Sequence, residues 1–439
     1  MSLWRHACLA TALLAAGSCR REDAPASRAP TAGGEAERPQ RIVFVLLDTV
    51  RSDHLAPYGY ARDTMPYLSK LAAKGVVFEK AWAPSSWTPS SMASIFTGLW
   101  VNQHGVLIGY RATRKALKEG ADQIQLNRIP QALETLPEVM RAAGYRTYGV
   151  ADNVNIGKPM GFAEGFDRFM MKSQGAVRDR VARWKDELAR RGSYFLYLHY
   201  IEAHGPYREP AKPGKTQIET NVDLYDAALR LLDSELESHF EALSLTEPGS
   251  FVVIAADHGE EFWDHGGTGH DNQVYEELLR VPLIVYAPGL LQPGRVATPV
   301  TTVDILPTLR EVAKAPPSPS DQGVSLLKTL RGQVSGPRTF YPMRWWEPSD
   351  VRLAKKAVVR ERYKYILNLP EGKEELYDLE ADPKERRNLA GELPQVASDL
   401  KQSLRAFEHK AKTHPREFAE AVRLTREKAE ELKALGYVQ

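Results

Sequence analysis

The sequence predicts an α/β fold: a mostly parallel central sheet with helices on both faces, followed by a small antiparallel C-terminal subdomain. Three observations predict it. Short apolar runs recur at residues 42–47, 76–83, 145–151, 194–199, 251–256 and 281–286. Stretches with helical spacing separate them, giving a βαβα rhythm. After about residue 315 the rhythm gives way to alternating, Tyr-rich runs.

Taken in order, residues 42–47 (IVFVLL) are continuously apolar, the mark of a strand buried on both faces. Residues 65–73 have helical spacing and stop before Gly75. Residues 76–83 read as a strand. Thr88 followed by Pro89 is a helix start, with Thr88 as the cap and Gly98 closing the helix. Residues 135–143 form a helix ended by Gly144, and 145–151 the next strand. Helices are expected over 222–243 and 272–279, among the strands at 194–199, 251–256 and 281–286. Pro316-Pro317-Ser318-Pro319 is a loop. Residues 358–368 and 374–379 read as hairpin strands, and 393–409 and 416–435 as charged helices.

The chain has 439 residues, 43% of them hydrophobic and 26% charged, as in an ordinary globular protein. Its formal net charge of +2 offers no basic footprint for nucleic acid. Arg5 and His6 precede an apolar run at 7–16 that is too short to span a bilayer, and Gly17-Ser18-Cys19 ends it. This is an export signal. It is either of the lipoprotein type, with Cys19 lipidated, or an ordinary cleaved signal peptide. Cys8 and Cys19 are the only cysteines, so the mature fold has neither a disulfide nor a catalytic thiol. The expected organisation is a signal at 1–19, a disordered tether at 20–40, a catalytic α/β domain at 41–335, an antiparallel subdomain with a helix at 336–412, and a charged helix at 413–439. No run approaches the ~20 apolar residues of a transmembrane helix.

Polar, metal-binding residue types gather at the ends of the apolar runs. Asp48 follows the first; it is either a helix cap or a metal ligand. Thr88 can simply cap its helix, or place a hydroxyl where an anionic ester is attracted; taken locally, the cap is preferred. Asp257-His258-Gly259-Glu260 follows another run, and a carboxylate beside an imidazole suits a metal, zinc or manganese better than calcium. His199, His204 and His270 stand near strand ends and loops.

These segments together resemble the sulfatase family of the alkaline phosphatase superfamily. Residues 45–55 (VLLDTVRSDHL) look like its opening motif and 88–98 (TPSSMASIFTG) like its nucleophile motif. His204-Gly205-Pro206-Tyr207 resembles its histidine motif, and Asp257 to Glu260 with Gly269-His270 its second metal motif. Residues 302–308, Tyr363-Lys364-Tyr365 and 376–379 complete an ordered likeness over about 41–389. The resemblance implies an alkaline-phosphatase-like α/β/α sandwich. It implies one divalent metal ion held by Asp48, Thr88, Asp257 and His258, with His204 and His270 binding the substrate or protonating the leaving group.

The sequence departs from the family where it matters. Thr88 stands at the position of the formylglycine-forming Cys or Ser, Ser90 where Pro is usual and Met92 where Arg is usual. Thr49 replaces a second Asp. That set is similar to the phosphoethanolamine and phosphoglycerol transferases, which use an unmodified Thr with zinc or manganese. The expectation is therefore a metal-dependent hydrolase of a sulfate ester with Thr88 as nucleophile. The other readings are a phosphodiesterase or phospho-group transferase, and a non-catalytic binding protein of the same fold. Expected partners are a small-molecule, glycan or lipid ester, with no nucleic acid, and a membrane only through a lipid at Cys19. The protein is expected to be periplasmic or anchored to the cell envelope, and the sequence assigns no oligomeric state.

Overall fold

A computed structural model describes residues 38–110, 120, 123–171, 177–190, 192–206, 210–333, 336–346, 352, 354–413 and 420–427. The expected signal and its cysteines, nearly all of the tether, and Tyr207 lie outside the described residues.

The centre is an eight-stranded sheet. In chain order its strands are β1 (Arg41–Leu47), β2 (Val76–Phe78), β3 (Arg146–Ala151), β4 (Arg168–Met171), β5 (Tyr194–Tyr200), β6 (Ser250–Ala255), β7 (Leu283–Tyr286) and β8 (Gly294–Val296). In space they run β8-β2-β7-β6-β1-β5-β3-β4. β1 lies in the middle, parallel to β5 and β6, with Ile42 opposite both Phe195 and Phe251. Ile42 to Leu47 are all fully buried, which is why the run is continuously apolar rather than alternating. The fold is the α/β sandwich expected.

The sheet departs from simple parallel order at one strand. β7 pairs antiparallel with both β6 and β2. An apolar run carries no sign of its direction, so the sequence could not reveal this. The reversal has a geometric effect: β6 ends and β7 begins at the same edge, so the connection from Asp257 to Pro282 leaves and returns on that edge.

Residues 76–83 form two short strands rather than one. Glu79 and Lys80 interrupt them, and Ala81–Trp82 pairs instead with Val300–Thr301. The expected run 358–368 is likewise a hairpin, Ala354–Arg360 and Tyr363–Asn368, turning at Glu361. With Thr339–Phe340, Met343–Trp345 and Lys373–Asp378 these make a five-stranded antiparallel sheet. Val358, Tyr365 and Leu376 on that sheet pack under Ala397, Leu400 and Leu404 of the helix Pro394–Thr413.

The last described segment corrects the expected helix over 416–435. Glu420–Thr425 is a strand, antiparallel to Gln123–Arg128. Val422 and Leu424 are half-buried while Ala421, Arg423 and Thr425 are exposed, a period of two that the surrounding Glu, Lys and Arg obscured. Among the described residues no helix is long and apolar enough to cross a membrane.

Candidate active site

The carboxyl ends of the central parallel strands converge on one edge, where open α/β sheets bind ligands. Asp48 follows β1, Asn153 lies just past β3, His204 past β5 and Asp257-His258 past β6. Asp48, Asp257 and His258 are fully buried, and their ligand atoms lie within 4.8 Å of one another.

The two carboxylates are unequally furnished. Asp48 Oδ2 accepts from Asn153 Nδ2 at 2.7 Å and from His199 Nε2 at 3.0 Å. Asp257 Oδ1 accepts from the backbone N–H groups of Thr49, at 3.3 Å, and His258, at 3.0 Å. Among the described residues, Asp48 Oδ1 and Asp257 Oδ2 have no hydrogen-bond partner, and Asp257 Oδ2 lies 3.3 Å from His258 Nε2. Burial and the neighbouring Asp48 push the Asp257 carboxyl well above its usual range. For Asp48 burial acts the same way, but His199 outweighs it and the carboxyl stays ionised at very low pH. Orphaned buried oxygens cost free energy unless something positive meets them. The pair fits a divalent cation.

His258 supplies the third donor. Its Nδ1–H faces the Gly259 carbonyl at 2.9 Å, so Nε2 carries the lone pair. Burial and His270 lower its pKa to about 3, which keeps it neutral and able to bind metal. The chain can pass this close because residue 259 is glycine: a Cβ there would lie 1.9 Å from the Glu277 carbonyl oxygen.

Thr88 does not cap its helix. The helix spans Thr88–Thr97 with extended Trp87 in the cap position, and Thr88 is its first residue. That shift of one residue frees the hydroxyl, and Thr88 Oγ1 lies 3.0 Å from His258 Nε2. Gly98, at φ 67°, ends the helix as expected. Met92 is fully buried on the same helix.

His270 packs against this group. Its ring is 4.5 Å from that of His258 and 4.8 Å from that of His204, centroid to centroid. Glu260 faces its Nδ1 at 3.4 Å. Burial alone would lower the His270 pKa; the Glu260 charge outweighs it and holds it at about 9. His204 Nδ1 donates to the Gly205 carbonyl. The structure thus brings Asp48, Thr88, Asp257 and His258 together, with His270 and His204 beside them.

Sequence reasoning missed Asn153 and gave no role to His199 or Glu260. Asn153 had a readable signal, a polar residue just past an apolar run. His199 was picked out near the end of its apolar run, but it lies within β5 and its contact with Asp48 is purely tertiary. A second histidine–carboxylate cluster, His265 with Glu277 and Glu385, lies elsewhere. There Lys364 Nζ stands 3.0 Å from Glu385 Oε1 and already provides the positive charge.

The family model described as Sulfatase matches residues 40–315, and one described as N-sulphoglucosamine sulphohydrolase, C-terminal, matches 266–410. The Delta 4,5-hexuronate-2-O-sulfatase of Bacteroides thetaiotaomicron is 23% identical, covering 87% of this chain and 89% of its own. A solved 2-O GAG sulfatase superposes with a TM-score of 0.70 at 20% identity, over 86% of this chain and 93% of that one. The phosphonate monoester hydrolase of Agrobacterium radiobacter superposes with a TM-score of 0.67 at 18% identity, over 84% and 96%.

Proposed function

The chain belongs to the sulfatase family and is a hydrolase of sulfuric ester bonds, and we propose that it works through Thr88 as an unmodified nucleophile. One observation supports this reading above all. Thr88 Oγ1 stands 3.0 Å from His258 Nε2, beside two carboxylates that each keep one oxygen free of hydrogen bonds among the described residues.

Asp48, Asp257 and His258, with Thr88 itself, would hold one divalent cation. When bound, that ion supplies Lewis acidity, favouring the Thr88 alkoxide and neutralising ester charge. The mixed oxygen and nitrogen donors favour zinc or manganese over calcium. Thr88 Oγ1, its proton released to solvent, attacks sulfur in line as the bond from sulfur to the leaving oxygen breaks. His270 or His204 gives that oxygen its proton. Water then attacks the threonyl sulfate as its bond from sulfur to Thr88 breaks; sulfate leaves, and the two protons of the water restore the histidine and the Thr88 hydroxyl. The helix N-terminus around Thr88 adds its dipole to the binding of the anion.

Substrate class follows from charge. With Met92 in place of Arg, the site favours a monoanionic group, and the sulfated-sugar activities named for the relatives make a sulfated glycan the first candidate. A phosphodiester or phospho-group transfer is the second reading, favoured by the Thr at the nucleophile position. The proposed setting is the periplasm or the cell envelope. Purified protein assayed on paired aryl sulfate and aryl phosphodiester substrates, with metal analysis, tests both. Faster turnover of the sulfate is expected. Turnover of the phosphodiester alone would overturn the sulfate reading in favour of the second.

A further inference from the structure

Three distant segments meet beside the nucleophile. Met343 N donates to the Pro84 carbonyl at 2.9 Å, and Asp271 N to the Ser86 carbonyl at 2.9 Å. Arg344 Nε donates to the Asp271 carbonyl at 3.1 Å. The Arg344 guanidinium carbon lies 5.3 Å from the centre of the Trp87 ring, and that ring stacks with His270 at 6.1 Å. Arg344 is 5% exposed. Trp87 immediately precedes Thr88, and Asp271 immediately follows His270. One buried guanidinium from the C-terminal sheet therefore touches both the segment carrying the nucleophile and the segment carrying a candidate acid.

Asp271 also has φ 77°, a conformation few side chains adopt and one that persists only when its surroundings enforce it. Its N–H is held by Ser86 and its carbonyl by Arg344, so the strained residue is gripped at both ends. A planar guanidinium suits this task, since it donates in its plane while a ring face meets its flat side. A lysine has the charge without the plane.

We propose that Arg344 is a positioning residue that fixes His270 relative to Thr88 for protonation of the leaving oxygen. This rests on the function proposed above. A loosened acid hurts most where the leaving group needs a proton. Kinetics on an activated and an unactivated sulfate ester therefore separate positioning from a purely structural role.

The test compares p-nitrophenyl sulfate with an alkyl sulfate for wild type, Arg344→Gln and Arg344→Lys, with circular dichroism to show that each is folded. For Arg344→Gln, kcat on the alkyl sulfate is expected to fall about 100-fold. On p-nitrophenyl sulfate it falls less than about 3-fold, and KM for both stays within about 2-fold. Arg344→Lys recovers only part of the loss. If Arg344→Gln fails to fold, Arg344→Lys carries the same comparison. Equal losses on both esters, or none, overturn the inference while leaving the proposed function standing. A wild type inactive on both sulfates overturns the proposed function itself, and this inference with it.

Discussion

Thr88 Oγ1 and His258 Nε2 lie 3.0 Å apart, the hydroxyl opposite the one imidazole nitrogen that is not committed to the backbone. The first expectation follows from that pair. Thr88→Ala should lower kcat on an aryl sulfate by on the order of 1000-fold or more, while Thr88→Ser retains measurable turnover. Steady-state kinetics with melting curves for both variants check it. Full turnover by Thr88→Ala would remove the hydroxyl from the chemistry.

Metal removal is the second. Among the described residues nothing hydrogen-bonds to the buried Asp48 Oδ1 or Asp257 Oδ2, so a cation that meets them binds the folded state alone and stabilises it. Chelation should therefore lower the melting temperature of wild type. The same treatment should leave Asp257→Asn nearly unchanged. Differential scanning calorimetry with and without chelator reads the difference.

Asn153 and His199 share Asp48 Oδ2 between them. Groups that orient a ligand in this way typically change metal affinity or activity by about 10- to 100-fold when removed. Asn153→Ala should weaken divalent-ion binding by such a factor without unfolding the sheet, as measured by competitive titration against a metal indicator.

Glu202 sets a pH dependence of stability. Burial raises its pKa to about 7, with the Glu235 charge adding to the effect. The folded state thus holds the proton more tightly than the unfolded chain, whose reference value is 4.5. This contribution is fully present below about 4.5 and is lost as pH rises through about 7. Glu202→Gln mimics the protonated form. It should be more stable than wild type at pH ~8 by about 1–3 kcal/mol, with the gap gone near pH ~4. Denaturant melts at the two pH values decide it.

Gly259 is the fifth. An added Cβ would meet the Glu277 carbonyl oxygen at 1.9 Å, and backbone there cannot yield as a side-chain tip can. Gly259→Ala should cost about 1–3 kcal/mol or more in urea unfolding. It should also lower activity, because His258 Nδ1 rests on the carbonyl of this residue.

Much of the architecture was legible because buried parallel strands announce themselves. Ile42 to Leu47 could hardly be anything else, and a carboxylate at the end of such a run is conspicuous. Asp257 and His258 stand out as candidate ligands that way, and Asp48 as either a cap or a ligand. Asn153 occupies an equivalent place, but asparagine after a strand reads as an ordinary turn residue. Thr88 was misjudged by one position, since Thr-Pro fits a cap and a first turn equally well from sequence alone. Arg344 was out of reach: its contact with Asp271 spans 73 residues and exists only once the two sheets are assembled. The strand at Glu420–Thr425 was hidden for a related reason, because its partner strand is nearly 300 positions away.

The reversed strand β7 has an evolutionary consequence. Because the excursion that begins at Asp257 leaves and rejoins the sheet on one side, it behaves as a cassette. Its tip, with the exposed Trp263, can lengthen, shorten or change composition without threading the core anew.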